Sequence, residues 1–159
     1  MKIKGIIHED FVNYKKPSMV IEFPICKGFK CDKECGQQVC QNSNLANTPT
    51  HNISIEKIVL SYLKNTITEA IVCQGLEPFD SENDLYDLIR FFRKYSNDDI
   101  VIYTGYTEEE LSAQIDYLAA LYENIIIKFG RFVPGKPSYY DGTLGVFLAS
   151  SNQYAKRIC

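Results

Sequence analysis

Four cysteines, Cys26, Cys31, Cys35 and Cys40, fall within fifteen residues, separated by gaps of four, three and four. Thiolates are soft ligands that suit iron, and a flexible loop can wrap a cuboidal iron–sulfur cluster. A structural cluster takes four protein ligands; a catalytic one takes three and leaves one iron open. Zinc also takes four thiolates, typically as two close pairs well separated in sequence, a pattern that evenly packed cysteines fit less well. A four-ligand structural cluster and disulfides are the other readings. In a reducing compartment such a group points to metal binding or catalysis before disulfides. The two remaining cysteines, Cys73 and Cys159, stand alone and read as structural.

The elements that would position these thiols follow from the apolar pattern. Met19 to Ile25 reads as a strand running directly into Cys26, and Lys2 to His8 as an edge strand. The stretch from Cys26 to Asn52 is polar and irregular, of a length that in a compact domain is usually functional or disordered. Ile55, Ile58, Val59, Tyr62 and Leu63 recur at helical spacing behind Ser54 as N-cap. Ala70 to Cys73 reads as a strand. Leu85, Leu88, Ile89 and Phe92 form a second helix face, opened by a capping box of Ser81 and Asp84. Ile100 to Tyr103 is a β-branched strand. Leu111, Ile115, Leu118 and Tyr122 mark a third helix, opened by Thr107 and Glu110. Ile125 to Phe129 and Gly145 to Leu148 complete the strands.

Strands alternating with helices imply right-handed crossovers and a mainly parallel sheet, here an open or half-barrel α/β sheet. Sites in such sheets form at the carboxyl ends of the strands. Cys26, the Gln74–Pro78 segment, Thr104–Gly105–Tyr106 and Ser150–Gln153 each follow a strand, which points to one composite site.

At 159 residues the chain is expected to be one domain, 1–159, with a cluster-binding loop over 26–52. Its net charge of −3 argues against a dedicated nucleic-acid binder. No apolar run approaches the ~18 residues of a membrane span. Met1 to Asp10 lacks the apolar core of a signal peptide, so a cytoplasmic location is expected. His8 and His51 have no partners at ligand spacing and read as surface residues.

Five segments, in order, resemble the radical S-adenosylmethionine (SAM) enzymes, and within them the activating proteins of anaerobic ribonucleoside-triphosphate reductase. Glu9-Asp10-Phe11-Val12-Asn13 followed by Met19 to Cys26 resembles the family's opening. Cys40-Gln41-Asn42 is similar to its last cluster cysteine and the Asn after it. Gly75-Leu76-Glu77-Pro78 resembles a Gly-Gly-Glu-Pro motif, with Leu76 in place of the second glycine. Thr104-Gly105-Tyr106-Thr107 resembles a Thr-Gly-Tyr strand end, and Ala149-Ser150-Ser151-Asn152-Gln153 a C-terminal Gly-Ser-x-Asn-Gln segment. The family's cysteines are spaced by three and then two residues; the loop here is longer and has a fourth cysteine.

The resemblance implies a 4Fe–4S cluster on three thiolates, taken as Cys26, Cys31 and Cys40, with Cys35 the alternative to Cys31. The open iron would take the amino and carboxylate groups of SAM. Gly75 and Leu76 would accept the SAM amino group, Glu77 would help position it, and Pro78 would stiffen the turn. Thr104, Gly105 and Tyr106 would meet its ribose or carboxylate; Ser151, Asn152 and Gln153 its adenine or ribose. The cluster, fed by an external one-electron donor, would cleave SAM reductively, and the radical would be passed to a glycine of the reductase large subunit. Two other functions fit the residues: a small-molecule radical SAM enzyme of the deazapurine-synthase kind, for which Lys128, Arg131 and Lys136 are the basic residues available, and a non-catalytic zinc or iron–sulfur binding module. Taken alone, 75–78 also fits a strand-to-helix turn capped by Asp80, 104–106 a plain capped helix start, and 150–153 a solvated C-terminal turn.

Overall fold

The computed structural model of the chain describes residues 1–159. In chain order the elements are β1 (Lys2–Ile3), β2 (Gly5–Asp10), β3 (Ser18–Phe23), α1 (Lys30–Cys35), α2 (Ser43–Ala46), β4 (His51–Asn52), α3 (Ile55–Lys64), β5 (Ala70–Gly75), α4 (Glu82–Phe92), β6 (Asp99–Tyr103), α5 (Ser112–Leu121), β7 (Ile125–Phe129), β8 (Tyr139–Asp141), β9 (Val146–Leu148) and β10 (Tyr154–Arg157). Short 3₁₀ turns, Pro78–Ser81 and Glu109–Leu111, lead into α4 and α5.

Six strands form one open sheet in the order β10-β7-β6-β5-β3-β2. The four inner strands, β3, β5, β6 and β7, run parallel, and both edge strands are antiparallel to their neighbours. Buried on both faces, the inner strands are nearly continuous apolar runs, as parallel strands are. Side chains alternate. Met19, Ile21, Phe23, Ile71, Cys73, Ile100, Ile102, Ile125 and Ile127 pack toward Ile58, Val59 and Tyr62 of α3, Leu85, Leu88, Ile89 and Phe92 of α4, and Leu118 of α5. Val20, Val72, Val101 and Ile126 face the other way, where no helix covers them. Tyr14 from the β2–β3 loop and Leu144 and Leu148 from the β8–β9 hairpin close that face. Cys73 is therefore a core residue, fully buried and away from the cysteine loop. No helix is long and apolar enough to cross a membrane.

Several local expectations change. The strand before Cys26 stops at Phe23, because Pro24 offers no N–H to the ladder. The Lys2–His8 segment breaks at Lys4 into β1, which pairs with β4, and the true edge strand β2. The 26–52 stretch is not structureless; it holds α1, α2 and β4. The Ser81–Asp84 capping box does not form. The chain is already wound as a 3₁₀ turn capped by Glu77, the Ser81 hydroxyl is left without a partner, and Asp84 accepts from the Lys2 N–H instead. The Thr107–Glu110 box does form, with each backbone N–H donating to the other's side chain at 3.3 and 2.9 Å. The 145–148 strand does not join the main sheet. It folds as β9 against β8, and the sheet is completed by β10, antiparallel to β7.

The amino end of the sheet is fixed by Asp99. Its buried carboxylate accepts from Lys16 Nζ at 2.6 Å, Arg157 at 2.8 Å and the Tyr14 hydroxyl at 3.0 Å, joining the β2–β3 loop, β6 and β10. Burial alone would raise the pKa of this group; the hydrogen bonds from Lys16, Arg157 and Tyr14 outweigh it and hold the carboxyl below its ordinary value of 3.8. A pKa depressed by folding contributes stability that is present above the unfolded value and lost as pH falls through the folded one. Asp99→Ala is expected to lower the unfolding free energy at pH 7 by about 1–3 kcal/mol. It should also flatten the loss of stability below pH 3.8, both read by urea denaturation across pH.

Candidate functional site

The carboxyl ends of the four parallel strands open into a cavity of about 290 Å³. The chain reaches it from β3 through a tight reversal at Gly28 and Phe29, with φ of +89° and +44°. Positive φ is costly for a phenylalanine, and here it turns α1 back over the strand ends. Cys26, Cys31 and Cys40 all line the cavity; Cys35, one turn further along α1, does not. Asp32 closes the loop between the second and last of these thiols, its Oδ1 accepting from the Val39 and Cys40 N–H groups at 2.8 Å each. Asn42 ties the same segment to β5, donating from Nδ2 to the Gly75 carbonyl at 2.6 Å.

Glu77 is the hub of the cavity floor. It is buried, and its carboxylate accepts from the Thr104 hydroxyl at 2.8 Å, the Gly105 N–H at 2.9 Å and the Phe79 N–H at 3.2 Å. Burial pushes its pKa up to about 7 against the pull of those donors. Both oxygens are thus spent on joining the end of β5 to the end of β6. Gly75 has φ +94°, and a Cβ there would stand 2.9 Å from the Glu22 Cα and the Phe23 nitrogen, so glycine is required where β5 passes β3. A Cβ on Gly105 would lie 3.7 Å from Glu77 Oε2 and 3.9 Å from Cys31 Sγ, so this glycine leaves room beside the thiol.

The other residues singled out from the sequence divide into two groups. Gly75, Leu76, Glu77, Thr104, Gly105 and Gln153 line the cavity. Pro78, Tyr106, Ser151 and Asn152 do not. Pro78 is buried in the 3₁₀ turn. Tyr106 borders a smaller adjoining cleft and donates its hydroxyl to Asp80 at 2.8 Å; Asp80 also accepts from the Lys27 N–H. Ser151 is exposed. Asn152 donates to the Arg131 carbonyl at 2.7 Å, and Gln153 to the Gly130 carbonyl at 3.2 Å.

Two buried cations face the thiols. Lys128, at the end of β7, donates to the Gly130 carbonyl at 2.9 Å and pairs with no carboxylate; burial lowers its pKa to about 8. Arg131 pairs with Glu110 at 2.8 Å, and its Nε stands 3.2 Å from Glu34 of α1, off the line of a hydrogen bond. Asp32 and Glu34 gave no sequence signal beyond lying between cysteines, and their partners are seen only once α1 is folded.

The thiols themselves are desolvated. Burial pushes Cys26 up to about 11 and raises Cys31, and charge on Cys40 would raise both further. The Phe132 N–H faces Cys31 and opposes the rise. No three His, Cys, Asp or Glu side chains converge as a single-ion site. The donor set fits a larger group: three soft sulfurs lining one cavity, a glycine leaving space at one of them, and the unpaired Lys128 to offset charge on bound thiolates.

A family model described as a 4Fe-4S single cluster domain matches residues 25–154, which takes in the cysteine loop and every parallel strand after β3. No curated protein and no solved structure matches the chain.

Glu77→Ala orphans two backbone N–H groups and a hydroxyl in the floor. It is expected to lower the unfolding free energy of the cluster-free chain by about 2–3 kcal/mol, with Glu77→Gln losing less because one carbonyl acceptor remains. Chemical denaturation of the two variants side by side reads the difference.

Proposed function

This chain belongs to the 4Fe-4S single cluster domain family and is an iron–sulfur protein; on that footing we propose that it is a radical SAM enzyme that activates a glycyl-radical protein. The observation that carries the reading is the count of thiols at the cavity. Cys26, Cys31 and Cys40 line it and Cys35 does not, a three-ligand set that leaves one metal position for a small molecule. The radical SAM type of fold, the single-domain organisation and the cytoplasmic location go with the same reading.

In this reading Cys26, Cys31 and Cys40 hold the cluster. A cluster held there would supply the one-electron reduction, with the electron drawn from an external donor, that splits a C–S bond of SAM into methionine and a 5′-deoxyadenosyl radical. The chain's own groups bind, orient and exclude water. The Gly75 and Leu76 backbone edge takes the SAM amino group. Glu77 acts from beneath, fixing Thr104 and Gly105 at the β6 end where the ribose would lie. The hydrogen atom of a partner glycine Cα would pass to the 5′-deoxyadenosyl group in this cavity, giving 5′-deoxyadenosine and leaving the unpaired electron on the glycine.

A protein partner is favoured over a small substrate by the rim of the cavity. Val12 and Phe147, from the β2–β3 loop and β9, line it while remaining 72% and 74% exposed. Large apolar side chains this exposed at a cavity mouth suit a polypeptide that completes the enclosure. The anaerobic ribonucleotide reductase large subunit is the partner proposed.

The test is electron paramagnetic resonance on the anaerobically reconstituted, reduced protein. The expected result is a 4Fe–4S signal that changes shape on adding SAM, is lost in Cys26→Ala, Cys31→Ala and Cys40→Ala, and survives in Cys35→Ala. Transfer is then read as an organic radical on an added reductase that requires SAM. A cluster indifferent to SAM sinks the catalytic reading. A SAM-responsive cluster that leaves the reductase radical-free sinks only the partner.

A further inference from the structure

We infer that the strap Gly130–Val133, held from behind by Asn152 and Gln153, docks the cysteine helix α1 through Arg131 and sets the charge environment of Cys31. This rests on Cys31 being a cluster ligand, as proposed above, and not on SAM chemistry.

The strap leaves β7 through Gly130, whose φ is +97°; a Cβ there would sit 3.1 Å from the Asn152 carbonyl oxygen, so the C-terminal segment lies directly behind it. That segment holds the strap by its backbone. Asn152 Nδ2 donates to the Arg131 carbonyl at 2.7 Å, Gln153 Nε2 donates to the Gly130 carbonyl at 3.2 Å, and the Val133 N–H donates to the Ser150 hydroxyl at 3.3 Å. Gln153 is itself fixed, its Oε1 accepting from the Ser150 N–H. The Ser-x-Asn-Gln run thus spends its side chains on the strap.

On its other side the strap faces α1. The Arg131 side chain is 9% exposed, too buried to be a solvated surface charge. It bridges Glu110, ahead of α5, and Glu34 of α1. Lys30, at the start of α1, shares Glu110 at 3.2 Å and lies 4.3 Å over the Tyr106 ring. One chain of charges, Glu34–Arg131–Glu110–Lys30, therefore grips α1 at both ends, with Cys31 between. The Arg131 Cγ and the Cys31 Sγ approach the same point, 3.6 and 3.9 Å from where a Gly105 Cβ would be.

Net charge and donors near the sulfurs set a cluster's reduction potential, and partners behind a ligand hold its geometry. A fixed cation beside Cys31 favours the reduced, more negative cluster. Arg131 is a positioning residue in this scheme, and Asn152 acts through it.

The experiment is a redox titration followed by electron paramagnetic resonance on the reconstituted full chain without SAM, paired with the rate of iron loss to a chelator. Arg131→Gln is expected to shift the midpoint potential downward and to speed iron loss by about tenfold. Arg131→Lys, which keeps the charge and loses the fork, should restore the potential but not the retention. Asn152→Ala should change both in the direction of Arg131→Gln. Parent-like potential and iron loss in Arg131→Gln overturn the inference. So does Arg131→Lys matching Arg131→Gln in potential, a comparison that stands even if Asn152→Ala fails to fold. Retention of the cluster in Cys31→Ala with its loss in Cys35→Ala removes the ligand and the inference together. A SAM-indifferent signal bears only on the catalytic reading.

Discussion

Everything at the carboxyl end of the sheet depends on one buried carboxylate. Parallel strands end in unpaired backbone groups, and where β5 and β6 end the chain must turn away in two directions while leaving a floor between them. Glu77 supplies that floor by accepting from the Gly105 and Phe79 N–H groups and the Thr104 hydroxyl. Its own N–H donates to Ile25 at 2.7 Å, next to Cys26, so the β3 end is fastened to the same residue. Burying a carboxylate is expensive unless its acceptor capacity is used; here burial, with the Asp80 charge nearby, pushes the pKa up to about 7 against the three donors. The group is tolerated because no neutral side chain of that length takes three donors from two strand ends.

The two ends of the sheet handle charge in opposite ways. At the amino end Asp99 is surrounded by Tyr14, Lys16 and Arg157, a closed set in which every partner is accounted for. At the carboxyl end the balance is left open. Lys128 is buried without a carboxylate partner, and Cys26 and Cys31 are desolvated thiols whose ionised forms are disfavoured in the free chain. Thiolate ligation of a metal requires loss of those protons and brings negative charge, which the unpaired Lys128 is placed to meet, while Arg131 is already held by Glu110 and Glu34.

Much of this was legible in the sequence, and the exceptions share a cause. The inner strands and the helices over them announced themselves because burial on a sheet or along a helix face imposes a period. The strand-end segments 74–78 and 104–106 followed, since a parallel sheet brings its carboxyl ends together whatever the helices between them contain. What was missed lies where a choice is made by tertiary partners. Gly145–Leu148 has the composition of a sheet strand, but the tight turn at Asp141–Gly145, where the Asp141 carboxylate accepts from the Thr143 and Leu144 N–H groups, pairs it with 139–141 on the helix-free face. Tyr154–Arg157 carries too little apolar character to read as a strand; its edge position needs none. Ser81 and Asp84 have capping-box spacing, and the box yields because Glu77 has already started the turn. The partner of Asn152 could not be read either: its side chain donates to the Arg131 carbonyl, a pairing that exists only once the chain has turned at Gly130.

The length of the cysteine loop is the point where spacing and structure part most instructively. Eight residues separate Cys31 from Cys40, more than a short motif allows. Yet both thiols line one cavity, because the intervening chain is spent locally. One turn of helix carries it outward past Cys35, Gly36 reverses it with φ +66°, and Asp32 takes the returning N–H groups of Val39 and Cys40. Closing a longer loop costs little additional entropy, since the penalty grows only with the logarithm of length, and two hydrogen bonds to a charged acceptor offset it. Juxtaposition of the outer thiols is thus set by the clasp at Asp32 and the tether from Asn42 to Gly75, not by the number of residues between them. The same geometry moves Cys35 off the cavity: a residue four positions on along a helix keeps its face but is displaced by a full turn along the axis. The eight residues between Cys31 and Cys40 are thus accommodated by being folded into a helix whose far end carries Cys35 off the cavity.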